Sequence, residues 1–299
     1  MERPASFGDR LTTAIARTGP LCVGIDPSPA LLRAWDLPDD AVGLRRFGLT
    51  CVEALVGVVA AVKPQVAFFE RHGAAGFAAL EAVLGAAREA GVLAIADAKR
   101  GDVDSTAVAY AEAWLDPESP LAADAVTAVA YLGLAALEPL LGAADRHGRG
   151  VFVVCRSSNP EGRPLQEAIT VGGRSVEDLL LAGLAARNQR SRPDGARLSS
   201  GGAVVGATLE PGSFPLAELG GPILAPGLGA QGATVADVAR RFSGATPGSV
   251  LVSASRAVLA AGPSGRALAD AARSVAEALA EALPAAAPGP DPGPEPARR

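Results

Sequence analysis

The sequence predicts an α/β chain folded as a single (β/α)8 barrel. Three observations carry that expectation. Eight short, Val/Ile-rich runs recur along its 299 residues. Ala/Leu-rich stretches of helical character separate them. The runs are apolar throughout rather than alternating, as parallel strands covered on both faces are. Strict strand-then-helix order with eight strands argues for closure into a barrel. An open doubly wound sheet shares the local pattern and is the alternative.

The elements follow in order. Strand one is expected at 21–26 (LCVGID), followed by a helix over 41–57. Strand two, 58–63 (VVAAVK), leads to a helix over 74–90. Strand three, 92–97 (VLAIAD), leads to one over 104–115, and strand four, 124–129 (DAVTAV), to one over 132–142. Strand five, 151–155 (VFVVC), precedes a helix over 174–188. Strands six, 203–207 (AVVGA), and seven, 222–225 (PILA), come before a helix over 234–242. Strand eight, 250–253 (VLVS), is followed by a last helix over 264–283.

Two segments look peripheral. Residues 189–202 (QRSRPDGARLSSGG) are polar and Gly/Ser-rich and read as a surface loop before strand six. Residues 284–299 carry six prolines in sixteen positions. Such a tail cannot bury a core and is expected to be disordered or partly polyproline II. The barrel domain is therefore expected to span 1–283.

Composition narrows the function. Hydrophobic residues make up 49% of the chain, enough for one sizeable core. The formal charge of −5 offers no basic field for nucleic acid. The sequence holds no run of about 18 apolar residues, which excludes a helical membrane span. The start (Met1-Glu2-Arg3-Pro4) lacks a signal-peptide pattern, so a cytoplasmic location is expected. Cys22, Cys51 and Cys155 are too scattered for a disulfide framework and read as small apolar residues, Cys22 and Cys155 as inert ones. With only His72 and His147, neither a His-based metal site nor a Ser-His-Asp hydrolase fits. Both histidines read as loop residues, His147 as an exposed one. Trp35, Trp114, Tyr110 and Tyr131 read as packing residues, and Glu70 as a partner for an arginine.

All but two of the 27 basic residues are arginine. The exceptions, Lys63 and Lys99, both fall at the carboxyl ends of expected strands. Reactive groups of a barrel come from those ends. Lysine offers a compact charge and a transferable proton that arginine does not. The other strand ends carry Asp26, Asp97, Thr127, Arg156-Ser157-Ser158, Thr208, Pro226-Gly227 and Ser255-Arg256. In VLAIADAKRGD, Asp97 and Lys99 stand two apart, so alternation aims both into the barrel mouth. Asp102 follows after Gly101. A lysine flanked by two carboxylates is an acid held ready to deliver a proton. A second site lies at the last two strand ends. LAPGLGAQGAT (224–234) is Gly-rich and leads into a helix, so its backbone N–H groups can converge on an anion. Gln231 can add a donor, and Arg256 supplies a planar fork suited to phosphate.

The stretches GIDPS (24–28), AVKPQVAFFE (61–70), IADAKRGDVDSTA (95–107), SSNPEG (157–162), APGLGAQG (225–232) and SASR (253–256) resemble the orotidine 5′-phosphate decarboxylase family in its longer, type 2 bacterial form. They span roughly 20–260, in family order. The resemblance implies a TIM barrel that converts orotidine 5′-phosphate (OMP) to uridine 5′-phosphate (UMP) and carbon dioxide, the last step of de novo pyrimidine synthesis. It implies no metal, no organic cofactor, and a homodimer whose active site is shared across the interface.

Residue by residue, Lys99 matches the family's proton donor and Asp97 the carboxylate facing the substrate carboxylate. Lys63 matches the lysine that bridges this charge network and a ribose hydroxyl. Asp102, with Thr106 beside it, matches the aspartate lent to the neighbouring subunit. Asp26 matches a ribose-hydroxyl ligand. Ser158, or its neighbour Ser157, matches the serine on the pyrimidine ring. Pro226 lines the pocket, and Gln231 and Arg256 match the phosphate grip. A loop over Gln231 is expected to close on the substrate. The polar segment 189–202 and the Pro-rich tail depart from the family pattern. The alternative within the same superfamily is a magnesium-dependent ketose-phosphate decarboxylase or synthase. Those relatives place a metal-binding Glu where this chain has Lys63. A nucleotide-binding barrel without catalysis is a third reading, opposed by the intact Lys63, Asp97, Lys99 and Asp102 set.

Overall fold

The computed structural model describes residues 4–210, 212–229 and 232–284. Eight strands, all paired in parallel, close in sequence order from β1 round to β8. They are β1 (Leu21–Ile25), β2 (Ala61–Pro64), β3 (Leu93–Arg100), β4 (Ala125–Ala128), β5 (Gly150–Arg156), β6 (Gly201–Val205), β7 (Ile223–Pro226) and β8 (Val250–Ala254). The expected (β/α)8 barrel is therefore the observed fold, and the open sheet is not.

The helices are α1 (Phe7–Thr18), α2 (Pro29–Ala34), α3 (Ala41–Leu55), α4 (Val66–Glu70), α5 (Gly73–Glu89), α6 (Asp104–Leu115), α7 (Glu138–His147), α8 (Arg163–Gln166), α9 (Val176–Ser191), α10 (Val235–Arg241), α11 (Arg256–Leu259) and α12 (Gly265–Ala282). Local chemistry sets their starts. Ser6, Ser28, Asp40, Ser175, Thr234 and Ser264 each accept a hydrogen bond from a first-turn N–H of the helix that follows. Thr234 and Asp237 form a reciprocal capping box.

Alternation along the strands sorts side chains into two layers. Leu21, Val23, Val62, Ala94, Val126 and Val151 face outward into the layer between sheet and helices. Cys22, Ala61, Leu93, Ile95, Ala125, Phe152, Leu224 and Leu251 fill the lumen together with Phe7, Leu11 and Ile15 of α1. α1 thus plugs the amino end of the barrel. Phe7 meets Phe152 edge to face, with centroids 5.7 Å apart. Asp124 fastens the plug: it accepts from Ala94 N (3.0 Å), Arg149 Nη1 (2.7 Å) and Arg10 Nη2 (2.5 Å).

Several expectations are corrected. The structure adds α1, unmarked in the strand-first reading although Ser6, Phe7, Leu11 and Ile15 carry a cap and an i, i+4 stripe. The segment 189–202 is not a surface loop throughout. α9 runs on to Ser191, Gly201 and Gly202 belong to β6, and Leu198, Ser199 and Ser200 are buried against the plug. Ser6 Oγ donates to Leu198 O at 2.6 Å. The stretch 132–142 begins with a 3-10 turn, Leu134–Leu137, before α7. His147 ends α7 and is half-buried rather than an exposed loop residue. Tyr131 is no packing residue: it is 78% exposed. Pro284 is described, its carbonyl accepting from Gly248 N, and 285–299 lie outside the described residues.

Candidate active site

The lumen changes character two residues above its apolar floor. Ala61 is followed on the same face by Lys63, Ile95 by Asp97, Ala125 by Thr127, Leu224 by Pro226 and Leu251 by Ser253. Period-two alternation therefore stacks a polar ring on a dry one. The ring lines a cavity of about 350 Å³ at the carboxyl end of the barrel. Asp26, Lys63, Asp97, Lys99, Ser157, Ser158, Pro226 and Arg256 all reach it.

Its centre is one carboxylate between two ammonium groups. Lys63 Nζ lies 2.8 Å from Asp97 Oδ2, and Lys99 Nζ lies 2.5 Å from Asp97 Oδ1. Lys63 and Asp97 are buried, whereas half of the Lys99 side chain is exposed to the cavity mouth. Burial alone pulls the Lys63 ammonium down, but the charges of Asp97 and Asp26 and the hydrogen bond to Asp97 outweigh it, so its pKa rises. Burial alone raises the Asp97 carboxyl, but Lys63 and Lys99 outweigh it and hold it well below the usual carboxylate range. Asp97 is thus anionic and Lys63 cationic at neutral pH.

Lys99 sits in an uncommon backbone conformation, φ +49°. For a non-glycine residue this costs roughly 1–3 kcal/mol. The β3–β4 register shifts between Ala96 and Arg100 at the same place. Simple alternation thus does not carry through Lys99, although its ammonium still reaches Asp97. Lys99 N donates to Thr127 Oγ1 at 2.9 Å, and Thr127 Oγ1 donates to Asp97 Oδ1 at 2.9 Å.

Asp26 Oδ1 is buried without a hydrogen-bond partner among the described residues. Such an oxygen beside a cavity is ready to accept from a ligand hydroxyl. Gly24, below it, has no room for a side chain: an added Cβ would stand 2.1 Å from Ser255 Oγ and 3.0 Å from Asp26 Oδ2. Ser157 is bound to Gln166, accepting from Nε2 at 2.8 Å while its own N–H donates to Oε1 at 3.1 Å. Ser157 and Ser158 both line the cavity. At the far side, the Gly-rich turn after β7 uses positive φ at Gly227 and Gly229, and Arg256 opens α11 after β8. Gln231 lies outside the described residues, and so does Ala230 beside it. The closure expected over Gln231 falls on those same residues.

Asp102 and Thr106 stand apart from this cavity. Gly101 passes so close to Val129 O that an added Cβ would be 2.2 Å from it, and the chain then carries Asp102 outward. Asp102 Oδ1 accepts from Val103 N at 2.8 Å, and Thr106 is exposed on α6. Within one chain, Lys99 thus has its ion pair with Asp97. The cavity also holds Gln65, Asn159 and Ser253, to which the sequence reading gave no role. Lys63 Nζ donates to Gln65 Oε1 at 3.4 Å. The i+2 step from Lys63 is the signal that finds Gln65. His72 faces Asp39, 3.4 Å away, and Glu70 pairs with Arg100 at 3.1 Å. Neither lines the cavity. Burial pushes the Cys22 thiol below it up to about 12, so this cysteine stays protonated.

Comparison with known proteins gives the family. Residues 19–271 match the family model described as orotidine 5′-phosphate decarboxylase / HUMPS family. The chain is 52% identical over 270 residues to an orotidine 5′-phosphate decarboxylase of Salinispora arenicola, covering 90% of this chain and 95% of that one. It is 51% identical over 268 residues to the enzyme of that name from Streptomyces coelicolor, covering 89% and 94%. A crystal structure from Streptomyces avermitilis assigned to the same activity superposes with a TM-score of 0.87 at 49% identity, covering 94% of this chain and 97% of that one.

Proposed function

This chain belongs to the orotidine 5′-phosphate decarboxylase / HUMPS family, and we propose that its barrel-mouth cavity binds orotidine 5′-phosphate with Lys99 as the proton donor. The chain is a carboxy-lyase that releases carbon dioxide from OMP and yields UMP. The observation that carries the residue assignment is Lys99 Nζ held 2.5 Å from Asp97 at the cavity mouth.

Loss of carbon dioxide leaves an electron pair on the ring carbon. A fixed ammonium beside that carbon stabilises the developing charge and then gives it a proton. Lys99 supplies both. Asp97 orients Lys99 and Lys63, and its own negative charge opposes the substrate carboxylate until carbon dioxide departs. Asp26 and Lys63 take the ribose hydroxyls, and Ser158 takes the ring. Pro226 packs against it. Arg256 and the backbone after β7 take the phosphate, whose remote binding energy holds the reacting carbon in place.

A second copy of the chain completes this reading. Asp102 and Thr106 serve the neighbouring subunit of a homodimer. The support is their position outside their own cavity, amid exposed apolar Val103, Val108, Val129, Tyr131 and Leu132. Among the described residues no helix is long and apolar enough to cross a membrane. The reading puts the protein in the cytoplasm with a small soluble nucleotide as substrate.

The magnesium-dependent ketose-phosphate alternative is not favoured: two ammonium groups at Asp97 repel a divalent cation. Loss of orotidine-ring absorbance by the purified protein, with and without chelator, tests this. Chelator-insensitive loss is expected, and a requirement for magnesium contradicts the reading.

A further inference from the structure

We propose that Thr127 is a positioning residue for the decarboxylation, its one hydroxyl locking the backbone of Lys99 to the carboxylate of Asp97. The inference rests on the reading of Lys99 and Asp97 as the reacting pair. Thr127 stands on β4, is 1% exposed, and lines the cavity. A hydroxyl has one proton and can also accept. Here both capacities are used. The oxygen accepts from Lys99 N, and the proton goes to Asp97 Oδ1, each at 2.9 Å.

Each bond does something the neighbours cannot. Lys99 lies in the left-handed region, where a lysine has no intrinsic preference. The β3–β4 register breaks between Ala96 and Arg100, so regular ladder pairing does not define the backbone there. The bond from Lys99 N to Thr127 crosses that gap and fixes where the lysine side chain starts. The bond to Asp97 fixes the other end of the same pair, on the oxygen that also meets Lys99 Nζ. Lys63 holds the second oxygen. The ammonium is therefore constrained at its root and at its counter-charge by one side chain. The β-branch restricts χ1 of Thr127 and keeps the hydroxyl aimed between the two.

Removing the hydroxyl at constant shape releases both constraints. Displacement of a reacting group by about 1 Å costs on the order of 100-fold. The binding contacts to ribose and phosphate come from other strands and are untouched. The effect should therefore fall on turnover.

The experiment measures kcat and KM for OMP with wild type, Thr127→Val, Thr127→Ser and Lys99→Ala. Thr127→Val is expected to lose kcat by on the order of 100-fold with a much smaller change in KM, and Thr127→Ser to recover most of the loss. Should Thr127→Val fail to bind UMP, and so fail to fold, Thr127→Ala reads the same hydroxyl loss and carries the same expectation. Wild-type kcat without the hydroxyl, beside an inactive Lys99→Ala, overturns the role of Thr127 alone. Equal losses in Thr127→Ser and Thr127→Val assign the effect to packing and also overturn it. Full activity of Lys99→Ala overturns the parent reading and this inference with it.

Discussion

Lys63 and Asp97 form a buried ion pair, Nζ to Oδ2 2.8 Å, with no more than a tenth of either side chain exposed. Taking one partner away leaves a charge in the lumen. Breaking such a pair costs roughly 3–5 kcal/mol. Lys63→Met should sit near the low end, about 3 kcal/mol, because Lys99 and Thr127 remain on the other carboxylate oxygen. Urea unfolding checks the size, and decarboxylation by the same variant should be lost with it. A neutral effect on stability would show that the pair is solvated.

The same pair sets a pH window. The folded Asp97 carboxyl is lowered from 3.8, so its contribution is present above that value and lost as pH falls toward the folded pKa. The folded Lys63 ammonium is raised from 10.5, so its contribution is full below that value and lost as pH rises beyond it. The stability difference between wild type and Asp97→Asn should therefore be flat from about pH 5 to 9 and shrink in acid below about pH 4. Thermal midpoints across that range test it. A difference that shrinks between pH 5 and 8 would contradict the assigned directions.

Gly24 should tolerate no side chain. The Cβ of Gly24→Ala collides with Ser255 Oγ and presses on Asp26, and rotating Ser255 away moves it within the cavity. We expect kcat/KM to fall about tenfold or more while the protein still folds. Steady-state kinetics beside circular dichroism decide this, and wild-type kinetics would mean that the ring of side chains is looser than described.

Asp124 separates stability from catalysis. It ties Ala94, Arg10 and Arg149 together at the amino end of the barrel, away from the cavity. Asp124→Ala should lower stability by about 3 kcal/mol, discounted for the half-exposed Arg10, and leave KM for OMP unchanged. A raised KM with unaltered stability would reverse that division.

The shared-site reading predicts complementation. Lys99→Ala and Asp102→Ala should each be inactive alone. Unfolding and refolding them together makes mixed dimers in which one site has both native residues. Activity should return on mixing. Two variants that stay inactive together would place Asp102 in its own chain's site or outside catalysis.

Much of this architecture was legible in the residues. The eight apolar runs placed every strand to within a few positions, because parallel strands buried on both faces leave unbroken Val/Ile signatures. The arginine bias singled out Lys63 and Lys99, and the structure brings both to Asp97. The rest was hidden for specific reasons. α1 follows no strand, so a strand-first reading passes over it. Leu198 to Ser200 look like a polar loop, yet they are buried because the plug needs partners for Ser6 and Asp9. Thr127 was visible as a strand end, but its role depends on the φ of Lys99 and a register break across two strands. No local pattern encodes either. Tyr131 looked like a core aromatic because burial cannot be read from one isolated residue.

The kcat/KM of Lys99→Ala for OMP, beside its affinity for UMP, is the measurement closest to the central claim. If Lys99 carries the proton to the ring carbon, kcat/KM falls by about 1,000-fold or more while UMP still binds. A loss within about tenfold, with UMP binding intact, would mean that the proton comes from elsewhere.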